Sequence, residues 1–306
     1  MSLLTSLRKN GPSGFGGAST AEDVTQGLNL TGRTILVTGC NSGIGLETVR
    51  VLAKRGARVI AAARTEEKAR NATASFGKEM VPTACELSSP ASVRACVAAV
   101  KAGGYRLDAI ICNAGIMALP KLEQAFGYEL QFFTNHIGHF MLVTGLVDQL
   151  NETGRVVVVA SQAHRRSPQG GIEFDNLSGA KGYDSWKAYG QSKTANILFA
   201  KQLAKRLSGT KRTANAIHPG VIHTNLGRTM PSFMTGAMAV LSPIFFKSIP
   251  QGAATQTYVA TRPEIDGVSG EYFIDCNIAD PMPYAKDPAL AERLWQESER
   301  IVSQLP

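Results

Sequence analysis

The stretch that decides the fold is residues 33–45, RTILVTGCNSGIG. An apolar run rich in β-branched side chains ends at Thr38, and a glycine-rich turn then leads into an amphipathic segment. Glycines allow a tight turn and a close approach of the backbone to a pyrophosphate, while the N-terminus of the next helix offers free N–H groups. The position between a strand and a helix favours a dinucleotide site over an ordinary tight turn. The candidate contacts are Gly39, Asn41, Ser42, Gly43, Ile44 and Gly45.

Outward from this turn, short apolar runs alternate with longer amphipathic segments. The predicted strands are residues 33–38, 58–63, 80–85, 107–112, 155–161, 213–218 and 270–274. The predicted helices include 90–101, 122–150, 185–207 and 251–260. Strands alternating with helices of this length indicate βαβ units, and strands that are apolar throughout indicate a sheet covered on both faces. The sequence therefore predicts an α/β, Rossmann-type doubly wound, mostly parallel sheet of about seven strands with helices on both faces.

The domain organisation follows from a change of composition near residue 31. Residues 1–31 include the glycine- and serine-rich run GPSGFGGAST and are predicted to be an N-terminal arm, with one short helix at about 20–27. Residues 32–306 are predicted to form one Rossmann-type domain, in which 224–250 interrupt the alternation.

Composition excludes several classes of protein. The 306 residues are 44% hydrophobic and 18% charged, as in ordinary globular proteins, and no apolar run approaches the about 20 residues that span a bilayer. The net charge of +8 is scattered over separate elements, so we expect no nucleic-acid partner. Five cysteines without a C-x-x-C pair, and an N-terminus unlike a secretory signal, favour a cytoplasmic protein without a metal site.

The end of the second strand indicates which dinucleotide binds. An NAD site would place Asp or Glu there, about 20 residues past the glycine turn, but this chain has three alanines followed by Arg64. A guanidinium pairs well with a phosphate, so Arg64 favours the 2′-phosphate of NADP(H). In the alternative, Glu66 or Glu67 holds the ribose hydroxyls and NAD(H) binds.

Catalytic residues are indicated by a tyrosine and a lysine four positions apart. Tyr189 and Lys193 share one face of a predicted helix, and a nearby ammonium favours the phenolate of a tyrosine. Tyr183 and Lys187 have the same spacing, but Tyr183 precedes the predicted N-cap at Ser185 and would lie outside the helix.

Two further polar residues are candidates for the same site. Ser161 ends the fifth strand, at the same edge as the glycine turn, and its hydroxyl can donate to a substrate oxygen. Asn135 lies in the long predicted helix and could hold a water in a proton relay. Neither is specific alone, and Ser161 lacks the G-x-S-x-G pattern of an acyl-transfer nucleophile. His136 and His139 have no evident third ligand and are treated as structural.

These motifs together resemble the short-chain dehydrogenase/reductase family. TGCNSGIG, CNAG at 112–115, Asn135, Ser161, Tyr189-x3-Lys193 and HPG at 218–220 occur in that family's order, and NHIGHF, SQAH and YGQSKTANILF are similar to its retinol dehydrogenase and WW-domain oxidoreductase branch. The resemblance implies Tyr189 as general acid/base, Lys193 at the nicotinamide ribose, Ser161 at the carbonyl and Asn135 at the relay water. It also implies cofactor contacts from Glu86, Leu87, Asn113, Ala114, Gly115, Pro219, Gly220, Ile222 and Thr224. Cys112 and Glu86 depart from the commoner residues of the pattern.

The substrate is indicated by the interruption at 224–250, which in this family forms the substrate lid. This segment is rich in Met, Phe and aliphatic side chains, among them Met230, Phe233, Met234, Met238, Val240, Leu241, Ile244, Phe245 and Phe246. An adaptable apolar pocket fits a bulky hydrophobic aldehyde, ketone or alcohol, of retinoid, steroid, terpenoid or lipid type. Packing on the core, a subunit interface in a homo-oligomer and contact with a membrane surface are the alternatives. For the whole chain, the rival to an enzyme is an NADP-binding redox-sensing interaction protein with little turnover.

Overall fold

A computed structural model describes residues 10–222 and 246–306 of the chain. In chain order the strands are β1 (Thr34–Thr38), β2 (Arg58–Ala63), β3 (Met80–Ala84), β4 (Leu107–Cys112), β5 (Gln124–Ala125), β6 (Tyr128–Glu129), β7 (Leu150–Val159), β8 (Thr213–His218), β9 (Tyr272–Ile274) and β10 (Asn277–Ile278). Eight of them form one sheet in the order β10-β9-β8-β7-β4-β1-β2-β3, and β5 and β6 form a separate hairpin. All neighbours in the large sheet are parallel except β9 and β10.

The helices that cover this sheet are α1 (Ala21–Val24), α2 (Gly43–Lys54), α3 (Glu66–Thr73), α4 (Pro90–Ala102), α5 (Leu130–Phe132), α6 (Gly138–Leu146), α7 (Ser185–Arg206), α8 (Ile249–Thr261) and α9 (Pro288–Ser303), with a π-helical turn at Phe133–Ile137 between α5 and α6. One apolar core lies between the sheet and α4, α6, α7 and α9. The other lies between the opposite face and α2 and α8. The doubly wound α/β fold predicted from the sequence is confirmed.

The strand order explains how the fold gathers a site at one edge. β1 is buried along its whole length, because it lies in the middle of the sheet between β2 and β4. Parallel strands end at the same edge, so the residues after Thr38, Ala63, Cys112, Val159 and His218 are brought together there. The strand order reverses at β1 and β4, where the crevice of a doubly wound sheet opens. At the far edge, β3 carries Pro82, which an edge strand tolerates because one side needs no N–H donor.

Three sequence predictions about the elements need correction. The predicted helix 122–150 begins only at Leu130, since β5 and β6 precede it and Phe126 and Gly127 take positive φ at the hairpin turn. Strand β7 starts at Leu150, five residues before the predicted strand, and the large sheet has eight strands instead of about seven. The amphipathic helix α9 was not predicted at all. It packs across α7, with Trp295 stacked on Phe199.

The described part of the N-terminal arm packs onto the domain. Thr20 caps α1 through a capping box with Asp23, and both Ala21 and Val24 of that helix are fully buried. The predicted short helix at 20–27 is therefore present as α1, ending at Val24. No helix in residues 10–222 and 246–306 is long and apolar enough to cross a bilayer. The predicted lid lies outside the described residues except for 246–250.

Candidate active site

The glycine turn after β1 fits a dinucleotide phosphate by its shape and by its free helix end. Gly39 has φ of +70°, and a Cβ on Gly45 would come within 2.2 Å of the Gly39 carbonyl oxygen and 2.4 Å of Asn113 Nδ2. Ser42 is the N-cap residue of α2, but its side chain makes no capping hydrogen bond. The first turn of α2 therefore keeps N–H groups for an anion. Asn41 lies in this turn, Gly43 and Ile44 begin α2, and their contact with a cofactor stays a prediction.

A hydroxyl that the sequence analysis did not single out ties this turn to the next strand. Thr38 Oγ1 accepts hydrogen bonds from the backbone N–H groups of Asn113 (2.9 Å) and Ala114 (3.0 Å). Its proton is donated to His139 Nε2 at 2.9 Å, because His139 Nδ1 must donate to the Asn135 carbonyl at 3.0 Å. Burial lowers the pKa of His139 to about 4, so the ring stays neutral and keeps this arrangement.

The adenosine end of the candidate site is formed by β2, β3 and β4. Arg64 follows β2 and is exposed, with no carboxylate partner in the described part of the chain. Glu66 pairs with Arg70 instead and, like Glu67, lies in the first turn of α3. Glu86 accepts hydrogen bonds from the Ser88 hydroxyl (2.9 Å) and backbone (3.2 Å). Leu87, another predicted contact, is buried against Gly138. Cys112, which departs from the family pattern, is buried as well.

The predicted catalytic residues lie together at the carboxyl edge of β7. Asp184 caps α7 by accepting from the N–H groups of Trp186 and Lys187, so the helix begins at Ser185 and carries Tyr189 and Lys193 on one face. Lys193 Nζ donates to the carbonyl oxygen of Val159 at 3.0 Å and lies 5.6 Å from the centre of the Tyr189 ring. Ser161, two residues beyond Val159, lies close enough to the Tyr189 hydroxyl to lower the pKa of that phenol.

Burial controls the proton affinities of this pair. It lowers the pKa of Lys193 to about 8, since the amine is buried and the carbonyl it binds carries no charge. Burial also raises the pKa of Tyr189 to about 12, against a smaller lowering by the Ser161 hydrogen bond. The expected lowering of the phenol pKa by Lys193 is therefore not found. The phenol stays protonated at neutral pH, which is the form that can donate a proton.

Asn135 connects this pair to the loop after β4. The π-helical turn places its amide so that Oδ1 accepts from the Ile116 N–H and Nδ2 donates to the Ile116 carbonyl, both at 2.9 Å. Nδ2 also donates to Ser192 Oγ at 3.0 Å. A Cβ on Gly115 would lie 3.0 Å from Asn135 Oδ1 and 3.6 Å from Lys193 Nζ. The side chain thus holds Ile116 beside Lys193, and its relay water stays a prediction.

The loop after β8 closes the site opposite the glycine turn. Pro219 and Gly220 are half-buried, and Gly220 takes φ of +98°. A Cβ on Gly252 of α8 would lie 2.3 Å from Ile222 Cδ1 and 2.8 Å from Ile44 Cγ2, so these two isoleucines meet over that glycine. The predicted contact Thr224 lies outside the described residues.

A buried ion pair supports this same loop. Lys247 Nζ lies 2.5 Å from Asp275 Oδ1, and the Lys247 backbone N–H donates to the Val221 carbonyl at 2.8 Å. The lysine side chain passes under Gly220, where a Cβ would come within 2.5 Å of Lys247 Cδ. Sequence reasoning missed this pair because 28 residues separate its members and neither belongs to a motif.

The histidines of the motifs have structural partners. His164 Nδ1 donates to the Ser161 carbonyl at 2.7 Å, and its Nε2 accepts from the Met282 backbone at 3.1 Å. His136 Nε2 donates to Ser298 Oγ at 2.8 Å, which joins the π-helical turn to α9. His139, which links the Asn135 carbonyl to Thr38, was indicated in the sequence only by its i,i+4 spacing from Asn135.

The fold and the site define a dinucleotide-dependent oxidoreductase of the α/β class. The model of the short chain dehydrogenase family matches residues 33–234, and this chain belongs to that family. It is 43% identical to a protein named short-chain dehydrogenase TIC 32 B, chloroplastic, of Brassica napus, over 97% of both chains. It is 38% identical to retinol dehydrogenase 14 of Homo sapiens, over 90% of this chain and 88% of the relative.

A solved structure supports the same assignment. A protein from Mycobacterium paratuberculosis superimposes with a TM-score of 0.75 and 31% identity, over 92% of this chain and 97% of that one. The predicted family and its retinol dehydrogenase-like branch are confirmed, and with them an oxidoreductase of the kind that acts on alcohols and carbonyls with NAD(P)(H).

Proposed function

We propose that the chain is an NADP(H)-dependent oxidoreductase that interconverts a bulky hydrophobic aldehyde or ketone and its alcohol, with Tyr189 as the general acid/base. The observation that carries the proposal is the grouping of Tyr189, Ser161 and Lys193 beside the glycine turn, at the carboxyl edge of the sheet. A bound nicotinamide would supply or accept the hydride. The chain's own residues would bind and orient the substrate and move the proton.

In the reductive direction, the Tyr189 hydroxyl donates its proton to the carbonyl oxygen as that oxygen gains negative charge. The Ser161 hydroxyl donates a hydrogen bond to the same oxygen, which stabilises the developing charge. Lys193, with a pKa of about 8, would hold the ribose hydroxyls and pass a proton back to the phenolate. In the oxidative direction the Tyr189 phenolate would accept the alcohol proton, so the phenol must first lose its own proton, and a pKa of about 12 opposes that loss at neutral pH.

The preference for NADP(H) rests on Arg64. An exposed guanidinium free of carboxylates at the end of β2 can pair with a 2′-phosphate through two of its donors. The alternative residue Glu66 is engaged by Arg70. The other proposed cofactor contacts are those on the glycine turn, Glu86 and Leu87, Asn113 to Gly115, and the loop from Pro219 to Ile222 with Thr224.

The hydrophobic substrate class is supported by apolar residues on the loop after β4 and at the start of α7, and by a relative. Met117 and Leu119 follow Ile116 and are half-buried, and the Trp186 ring meets the Tyr189 ring edge-on at 6.2 Å between centres. One relative is named for retinol. The Met- and Phe-rich run at 224–246 would add to this surface. The cytoplasmic location stays a prediction. The five cysteines are buried free thiols, which is compatible with a reducing compartment.

The test is a turnover screen of retinal, a steroid ketone, a long-chain aldehyde and an aromatic aldehyde with NADPH, run in parallel with the Tyr189→Phe variant. We expect reduction of at least one bulky substrate. Tyr189→Phe should lower kcat at least about a thousandfold, because the phenyl ring cannot donate a proton. Its NADPH affinity should stay within about threefold, since the ring itself is kept. Tight NADPH binding without turnover on any substrate would instead support the redox-sensing interaction protein.

A further inference from the structure

The second tyrosine–lysine pair of the sequence, Tyr183 and Lys187, takes no part in the site described above. Tyr183 precedes α7, as predicted, and Lys187 forms a surface ion pair with Glu173. Yet the Tyr183 hydroxyl points inward and donates to the backbone carbonyl of Leu119 at 2.7 Å. Leu119 lies three residues beyond Ile116, whose N–H is bound by the Asn135 side chain.

A second side chain holds the same loop from a buried position. Gln131 is 0% exposed, and its Oε1 accepts from the Ala118 N–H at 2.6 Å. Gln131 Nε2 in turn donates to the Tyr183 hydroxyl oxygen at 3.2 Å and to Glu129 Oε1 at 3.1 Å. Glu129 is anchored by the Phe132 N–H, which donates to its Oε2 at 2.8 Å. The hydrogen bonds therefore run from the start of α5 through Gln131 and Tyr183 to two adjacent residues of the loop.

The loop needs this support because its backbone is strained. Ala118 has φ of +49°, in the left-handed region that a residue with a Cβ adopts at a cost of about 1 kcal/mol or more. Hydrogen bonds on both sides of its α-carbon, to the Ala118 N–H and to the Leu119 carbonyl, offset that cost. Without them, Ala118 would relax toward negative φ, and Met117 and Leu119 would turn with it.

We propose that Tyr183 is a positioning residue for substrate specificity, which acts through Gln131 and the left-handed Ala118 to hold Met117 and Leu119 as one wall of the substrate site. The inference rests on the proposed function, because the wall is a substrate wall only if Tyr189 is the catalytic acid. Asn135 holds the near end of the loop at Ile116, next to the chemistry, and Tyr183 holds the far end. Loss of the Tyr183 hydrogen bond would weaken the binding of a large substrate, which reaches Met117 and Leu119, and would leave the binding of a small one unchanged.

The test compares Tyr183→Phe with the wild type on retinal and on benzaldehyde, with NADPH saturating. We expect the KM for retinal to rise about fivefold to tenfold, the effect of one hydrogen bond, with kcat unchanged within about twofold for both substrates. The KM for benzaldehyde should not change. Tyr105→Phe, which removes a phenol hydroxyl beyond α4, and Lys187→Gln, which removes the partner in the sequence pattern, are the matched controls and should behave as wild type.

A rescue separates loop positioning from direct contact of the hydroxyl with substrate. Glycine adopts positive φ without the Cβ penalty, so Ala118→Gly in the Tyr183→Phe background should restore at least half of the lost retinal affinity. Hydrogen exchange of the Ala118 amide should be faster in Tyr183→Phe and slower again in the double variant. An unchanged retinal KM, or a loss that Ala118→Gly leaves in place, would overturn the inference alone. Absence of turnover by the wild type would overturn the proposed function and the inference together.

Discussion

At the scale of single residues, the site depends on polar groups whose hydrogen-bonding capacity is fully used. The Thr38 hydroxyl makes one donated and two accepted hydrogen bonds, and it joins the glycine turn, the CNAG segment and His139. The Asn135 amide likewise serves both the N–H and the carbonyl of Ile116. Buried groups that lose such partners cost about 1–3 kcal/mol each, so these residues define the positions of the reacting groups as well as contributing to stability.

Arg64 is the residue on which cofactor choice is expected to depend. Replacing Arg64 with Asp removes the guanidinium that would bind the 2′-phosphate and introduces a carboxylate that repels it and can accept from ribose hydroxyls. We expect the ratio of kcat/KM with NADPH to that with NADH to fall at least about a hundredfold. Arg293→Asp, which alters an exposed arginine of α9, serves as the control and should leave the ratio unchanged. A ratio unaffected by Arg64→Asp would refute the role of this residue.

At the scale of elements, the site is assembled where the ends of strands and the starts of helices meet. The turn between β1 and α2 approaches β4 so closely that Gly45 has no room for a side chain. α7 supplies Tyr189 and Lys193 from a single face, and α8 brings Gly252 against Ile44 and Ile222. The conformation of each loop is therefore set by a neighbouring element instead of by its own sequence.

Gly45→Ala tests this close packing. The added Cβ would overlap the Gly39 carbonyl and Asn113 Nδ2, and a backbone carbonyl cannot rotate away as a flexible side chain could. We expect NADPH to bind at least about thirtyfold more weakly and the free energy of unfolding to fall by about 2–3 kcal/mol, as for overpacking of a core. Gly104→Ala is the control, because that glycine has φ of +66° but open space around it. It should cost about 1 kcal/mol and leave NADPH binding intact. Equal effects of the two variants on binding would contradict this account.

At the scale of the whole molecule, buried neutral histidines make the stability of the fold depend on pH. His136, His139 and His218 are each at most 4% exposed, and burial lowers their pKa values to about 3, 4 and 3. Unfolding returns each of them to an ordinary value near 6.5, so the unfolded chain binds protons that the folded chain does not. The stability that these residues allow is present above pH 6.5 and is lost as the pH falls below it.

The expected outcome is a free energy of unfolding that declines between pH 6.5 and 5, with each histidine contributing up to about 1.4 kcal/mol per pH unit. Urea denaturation at pH 7.5, 6 and 5 measures this decline. Glu22, whose pKa is lowered to about 2 by Lys54 and Arg50, affects stability mainly below about pH 4.5, whereas burial raises the pKa of Glu129, whose contribution opposes that of the histidines as the pH falls. His136→Gln should reduce the slope of the unfolding free energy against pH by up to about 1.4 kcal/mol per pH unit, which corresponds to one proton. A stability that stays constant from pH 7.5 to 5 would show that the histidines are not neutral in the fold.

The sequence by itself determined the alternation of strands and helices from β1 to β4, the glycine turn and the i,i+4 pair of Tyr189 and Lys193, because these depend on periodicity and on contacts within one turn. It also distinguished Tyr183 from Tyr189 through the start of α7. Only the tertiary structure decided the hairpin before α5, the burial that raises the pKa of Tyr189, and the hydrogen bonds from Thr38 to Asn113 and from Tyr183 to Leu119. These two hydrogen bonds join residues 75 and 64 positions apart. The order of strands in the sheet, which no local pattern encodes, brings such distant residues within reach of one another.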